Sequence, residues 1–183
     1  MKEQTHFLVQ KENEGCVEVY VLAPGIRISF NQINTSSWPK GDSSFFPKRM
    51  FTLNFCIGGR CDVSLAQNRY AIVKEQQVCV STIRPTKDFY YPGKHYYGIQ
   101  FYLDLSELER CGGQDFLTLL GIPLCQLRDI FCGADGLYLH HMNDAMLSLV
   151  QDTWASREEL DFGQLRYFMV RLLHELLSMP SES

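Results

Sequence analysis

Residues 49–105 run as a series of short apolar segments, each closed by a turn signal, and few folds other than a small β sandwich or barrel accept that pattern. The segments are FTLNFCIGGRCDVSLAQNRY (51–70), QVCVSTI (77–83) and HYYGIQFYLDL (95–105), all rich in β-branched and aromatic side chains. Gly58-Gly59 reads as a two-residue hairpin loop, because glycine alone takes positive φ without steric cost. Gln67-Asn68 is a second turn, since asparagine tolerates the left-handed region, and Pro92-Gly93 sets the bend ahead of the last strand. The period-two sets Phe51-Leu53-Phe55-Ile57 and Val63-Leu65 are expected to face the barrel interior, with Arg60, Asp62 and Ser64 toward solvent. In the closing strand Tyr97, Ile99, Phe101 and Leu103 share one parity, and Gly98, Gln100, Tyr102 and Asp104 the other.

Two strands precede this stretch, at 16–22 (CVEVYVL) and 26–31, separated by Pro24-Gly25. A polar loop with two prolines spans 34–48, and its Trp38, Phe45 and Phe46 are expected to pack onto the barrel end. After Asp104 the period lengthens to that of helices, opened by the capping-box spacing Ser106-x-x-Glu109. Residues 114–131 read as helix, bend at Gly121, helix, the layout of a helix-turn-helix unit. Its would-be recognition segment carries one cation, Arg128, beside Asp129, where a phosphate-contacting helix wants several, so a packed helical turn is the better reading.

Leu139, Met142, Ala145, Met146, Leu149, Val150 and Trp154 form one helical stripe. Ser156–Glu159 and Asp161–Gln164 have capping spacing. A second stripe follows through Phe162, Leu165, Phe168, Met169, Leu172, Leu173, Leu176 and Leu177, and Pro180 ends it. Two such helices joined by a short turn are expected to pack antiparallel. The second stripe is wide enough to serve either the first helix or a partner subunit. Leu165, Phe168, Met169, Leu172, Leu173 and Leu176 are its candidate dimerisation residues.

The 183 residues suit a barrel over 1–105 and a helical segment over 106–183. A net charge of −4 advertises neither nucleic-acid nor anionic-membrane binding, and no apolar run spans a bilayer. With no signal-peptide pattern at the start, the expected location is cytoplasmic. Seven cysteines, none in C-x-x-C spacing, read as reduced core thiols.

Of five histidines only His95 falls in the barrel, too few for a metal that wants three protein ligands, so no metal or other cofactor is expected. No nucleophile elbow, phosphate loop or dinucleotide fingerprint is present, and no catalytic residue is assigned. What remains is a concave apolar site without a reaction. Its candidate ligand-binding residues are Phe51, Leu53, Phe55, Tyr90, Tyr97, Ile99 and Phe101, unless these side chains meet and fill the barrel.

GIRISFNQINT, the Gly59-Arg60-Cys61 step, the aromatic turn FYYPGKHYYGI, LLGIPLCQL and the closing LRYFMVRLLHELLSM together resemble the N-terminal domain of AraC/XylS-type bacterial transcription regulators. The resemblance runs from about Gly25 to Met179. It implies a cupin-like jelly roll, mainly β with C-terminal α, that senses a small-molecule effector and is followed by an antiparallel helix pair that forms a homodimer. It also implies DNA binding only through C-terminal helix-turn-helix units, which are absent from this chain, Pro180 to Ser183 reading as the start of a linker. On this sequence the positions matching the effector-contacting parity are Tyr97, Ile99 and Phe101, with Phe51, Leu53 and Phe55 opposite. The alternative is a stand-alone cupin-fold enzyme acting on a small metabolite, with His95, Tyr97 and Tyr90 as acid and base groups; a third is a purely structural partner-binding module.

Overall fold

Alternating side chains on short strands need two buried faces when both parities are largely apolar, and the chain supplies them with a second sheet on one side and helices on the other. The computed structural model describes residues 6–41 and 49–180, so the expected packing of Phe45 and Phe46 lies outside the described residues, as do Ser181 to Ser183. The strands are β1 (His6–Lys11), β2 (Gly15–Ala23), β3 (Ile26–Ile33), β4 (Ser37–Trp38), β5 (Met50–Leu65), β6 (Arg69–Lys74), β7 (Gln77–Ser81), β8 (Phe89–Tyr90), β9 (Tyr96–Asp104) and β10 (Leu137–His141). The helices are α1 (Leu105–Arg110), α2 (Gly113–Leu119), α3 (Leu124–Phe131), α4 (Asp144–Ser156) and α5 (Phe162–Leu177).

All pairing is antiparallel. The larger layer runs β1-β2-β3-β9-β5-β7-β10. The smaller layer is β6 and β8 on the second half of β5, with β4 on β8. Strand β5 belongs to both, and this mainly β, cupin-like jelly roll curls around it. Its first half pairs with β9 and β7, and Arg60–Leu65 pair with β6.

The expected hairpin at Gly58-Gly59 is not a turn. Both glycines lie inside β5, where the register against β9 shifts between Cys56 and Gly58. Gly59 sits at φ +87°, and a Cβ there would overlap the His95 carbonyl oxygen; a Cβ on Gly58 would enter the Tyr97 ring. The glycines therefore permit a bulge and a close strand approach rather than a chain reversal. The reversal comes at Gln67 and Asn68, both at positive φ, as the sequence indicates.

That bulge decides which side chains face the barrel. Beyond it Cys61, Val63 and Leu65 point between the sheets, as expected for Val63 and Leu65. Before it Phe51, Leu53, Phe55 and Ile57 point the other way, into a core shared with the helices, which corrects the expectation that they face the interior. An extra residue in one strand of a pair exchanges the parity on either side of it.

The helical core is continuous. Phe101 lies between Phe55 and Phe168, with ring centroids 6.2 Å and 5.8 Å away. Trp154 of α4 meets Phe30 and Tyr97 at 6.1 Å and 5.5 Å. The Arg166 Nε donates to the Leu22 carbonyl at 2.7 Å, tying α5 to β2. Helix α5 opens on a capping box in which Asp161 and Gln164 exchange hydrogen bonds of 2.8 Å, as the spacing indicates. Helix α1 is capped by Asp104, whose side chain accepts from the Ser106 and Glu107 amides, rather than by Ser106.

Two elements depart from expectation. The helical stripe does not begin at Leu139: Leu137–His141 form β10 on the edge of β7, and α4 starts after the Asn143 cap. His140 and His141 are thus strand residues. Strand β1, unforeseen in the polar N-terminal segment, covers the edge of β2. Within 106–183, β10 returns to the edge of β7 and the helices share the sheet's core.

Candidate ligand-binding site

The inner face of the larger layer is unusually polar for a buried surface. Rows across β3, β9 and β5 place Ser29 opposite Gln100 and Gln100 opposite Asn54, with Asn31 opposite Gly98 one row along. Ser29, Asn31 and Asn54 are all buried. Buried polar atoms need partners, and here the partners are unequal.

The Tyr96 hydroxyl donates to Asn54 Oδ1 at 2.6 Å, so that pair satisfies itself. Burial pushes the Tyr96 phenol well up, opposed by this hydrogen bond. Burial also raises Tyr102, the Ser29 side chain opposing the shift, and raises Tyr91, whose other neighbours include Cys61; the Ser29 Oγ, like one atom of Asn31, is buried without a hydrogen-bond partner. All three phenols are held neutral and act as hydrogen-bonding groups, not as bases. Asn31 differs: it is 7% exposed, and its Oδ1 accepts no hydrogen bond.

Asn31 lines a cavity of about 190 Å³ between the two layers. Trp38, Phe89, Tyr91, Tyr96 and Tyr102 form aromatic walls, Val17 and Val19 an aliphatic one, and Asn54 and Gln100 share the polar side with Asn31. Lys11 and Lys40 belong to the lining, and among the described residues that lining holds no aspartate or glutamate. The Lys11 Nζ lies 5.0 Å over the Trp38 ring and 3.6 Å from Glu14, and the Lys40 Nζ donates to the Thr86 carbonyl at 3.1 Å. A smaller cavity of about 40 Å³ sits behind Asn54, Gln100 and Phe89. The barrel is therefore hollow.

The candidate ligand residues named from sequence do not line this cavity. Phe51, Leu53, Phe55, Ile99 and Phe101 are buried on the helix side, and Tyr97 packs there against Trp154. Tyr90 is 51% exposed on β8. His95, Tyr97 and Tyr90 do not converge on the cavity either: His95 is exposed and neither it, Tyr97 nor Tyr90 belongs to the lining. The signal for the real lining was present, as the alternate parity Gly98-Gln100-Tyr102, but its polarity reads as a solvent face until the second layer is seen.

Leu165, Phe168, Met169, Leu172, Leu173 and Leu176 are all buried against the sheet and α4 within one chain. The outward face of α5 carries Tyr167, 65% exposed, and Phe116 and Leu119 of α2 are 60% and 81% exposed. Leu124, Leu127 and Phe131 of α3 are buried and Arg128 pairs with Asp129 at 2.7 Å, so the helix–bend–helix segment is a packed turn. All seven cysteines are free thiols. Among the described residues no three of His, Cys, Asp and Glu gather to hold a metal, and no helix is long and apolar enough to cross a membrane.

No protein-family model matches the sequence, and no curated protein matches it. Solved structures do. The AraC-like transcriptional activator CuxR aligns over 98% of this chain and 64% of its own, with 8% identity and a TM-score of 0.50. KdgF from Halomonas sp. aligns over 54% of this chain and 86% of its own, with 10% identity and a TM-score of 0.40. Oxalate decarboxylase OxdC from Bacillus subtilis aligns over 54% of this chain and 27% of its own, with 10% identity and a TM-score of 0.36. The chain thus spans less than two thirds of the length of CuxR and OxdC. The likeness to CuxR is one of fold.

Proposed function

We propose that this chain is the effector-sensing and dimerisation domain of an AraC-type transcriptional regulator, and that its effector occupies the barrel cavity. The observation that carries the reading is the unpartnered Asn31 Oδ1, on a residue that lines a hollow with mainly apolar and aromatic walls. An acceptor left bare inside a fold costs stability unless something donates to it, and a ligand does so. The alignment with CuxR supports the regulator over an enzyme of the same fold, because it takes in the helices as well as the barrel. The proposed sensing role is non-enzymatic; the acid and base candidates His95, Tyr97 and Tyr90 are not among the residues that line the cavity.

In this reading DNA is bound by a helix-turn-helix domain outside these 183 residues. Two copies pair through the outward face of α5 around Tyr167, its inward face being occupied by the barrel. Ligand in the barrel and pairing at the helices are coupled through the sheet whose two faces they share. A thermal-shift screen against metabolites tests the sensing half, and a raised melting temperature whose size is reduced by Asn31→Leu is the expected result. A screen with no shift refutes it. Sedimentation equilibrium tests pairing: a dimer that Tyr167→Glu converts to monomer is expected, and a monomer at high concentration refutes it.

A further inference from the structure

We infer that the cavity takes a single-ring organic anion that carries a hydrogen-bond donor opposite its anionic group. This rests on the sensing reading above and names the chemistry of its ligand. Three observations fix the class.

Size comes first. The cavity is about 190 Å³, and one of about 150 Å³ holds benzene, so a single ring with short substituents fits. The walls come second. Trp38, Tyr102 and Phe89 present aromatic surface, and among the neutral amides of the lining Asn54 is already engaged by Tyr96. A sugar would leave several hydroxyls buried without partners, each at a desolvation cost. Asn31 Oδ1 asks for one donor, such as a hydroxyl on the ring.

Charge comes third. Lys11 and Lys40 are in the lining, and among the described residues no carboxylate is. The nearby acids stand outside it and bind loosely: Glu14 lies 3.6 Å from Lys11 with both side chains exposed, and Asp88 accepts from the Lys40 backbone amide at 3.3 Å rather than from its ammonium. An exposed ion pair of that kind contributes little, so Lys11 is available to a carboxylate that enters between Trp38 and the β1 edge.

The test is isothermal titration calorimetry of the 183-residue chain with five probes: para-hydroxybenzoate, benzoate, para-hydroxybenzamide, para-hydroxybenzylamine and glucose. The first is expected to bind tightest. Benzoate, which lacks the donor, should bind about tenfold more weakly, the scale of one buried hydrogen bond. The neutral amide should also be weaker, by a margin that shrinks with added salt, and the amine and glucose should give no heat. Asn31→Leu should erase the difference between hydroxybenzoate and benzoate, and Lys11→Gln with Lys40→Gln, both surface changes, should erase the difference between acid and amide. Amide, amine or glucose binding as tightly as the acid overturns the anion class and leaves the sensing reading standing. Silence from all five, with a hit elsewhere in the metabolite screen, does the same. Silence in both overturns both.

Discussion

Asn31 and Asn54 stand on the same inner face of adjacent rows, yet replacing each with leucine should move stability in opposite directions. Asn31 is 7% exposed with its Oδ1 bare. A buried polar group without a partner carries a desolvation penalty of about 1–3 kcal/mol, and leucine, with the same branched skeleton and an adjoining cavity to take its larger methyls, removes it. Asn31→Leu should therefore stabilise the free protein by about 1–2 kcal/mol, which for a domain of this size raises the melting temperature by about 3–6 °C. Asn54 Oδ1 instead accepts from a Tyr96 phenol whose residue is 1% exposed. Asn54→Leu strands that hydroxyl and should cost about 1–3 kcal/mol. Urea denaturation of both variants decides the matter, with unchanged m-values showing that the native states are alike. An Asn31→Leu protein destabilised by more than about 1 kcal/mol would refute the reasoning, since the amide would then be serving the fold rather than waiting for a ligand.

Gly59→Ala should destabilise by about 2–4 kcal/mol, because φ +87° and the His95 carbonyl both oppose a Cβ; equilibrium unfolding checks it. Phe101→Ala, which opens a void between Phe55 and Phe168, should cost about 3–5 kcal/mol while leaving ligand affinity unchanged, because the ring lies on the helix side of the sheet. Burial pushes the Cys56 and Cys79 thiols up from 9.0 to about 12. The unfolded chain therefore ionises first, and stability should hold below pH 9 and fall as pH rises from there toward about 12, as urea melts across that range would show.

Local chemistry made some elements legible. Asp161 and Gln164 at capping spacing open α5 as the sequence indicates, and Gln67-Asn68 turns the chain because only a few residue types accept positive φ. Strand β10 was not legible: LYLHH shares its apolar residues with a helical stripe, and the open edge of β7 turned the balance toward a strand. Tertiary pairing routinely overrides such weak local preference.

The cavity shows the same division more sharply. From the sequence alone came short antiparallel strands, an apolar parity at Phe51, Leu53 and Phe55, a mixed parity at Gly98, Gln100 and Tyr102, and helices with a broad leucine face. Which parity faces the hollow was settled only by the fold. Both faces of the larger layer are covered, so alternation cannot distinguish inside from outside; the leucine-rich helices took the more apolar face, and the glycine bulge in β5 let the strand exchange faces midway. The polar side chains of Asn31, Asn54 and Gln100 were left to line the space between the layers, where Tyr96 completes Asn54 and the Asn31 Oδ1 is left without a partner.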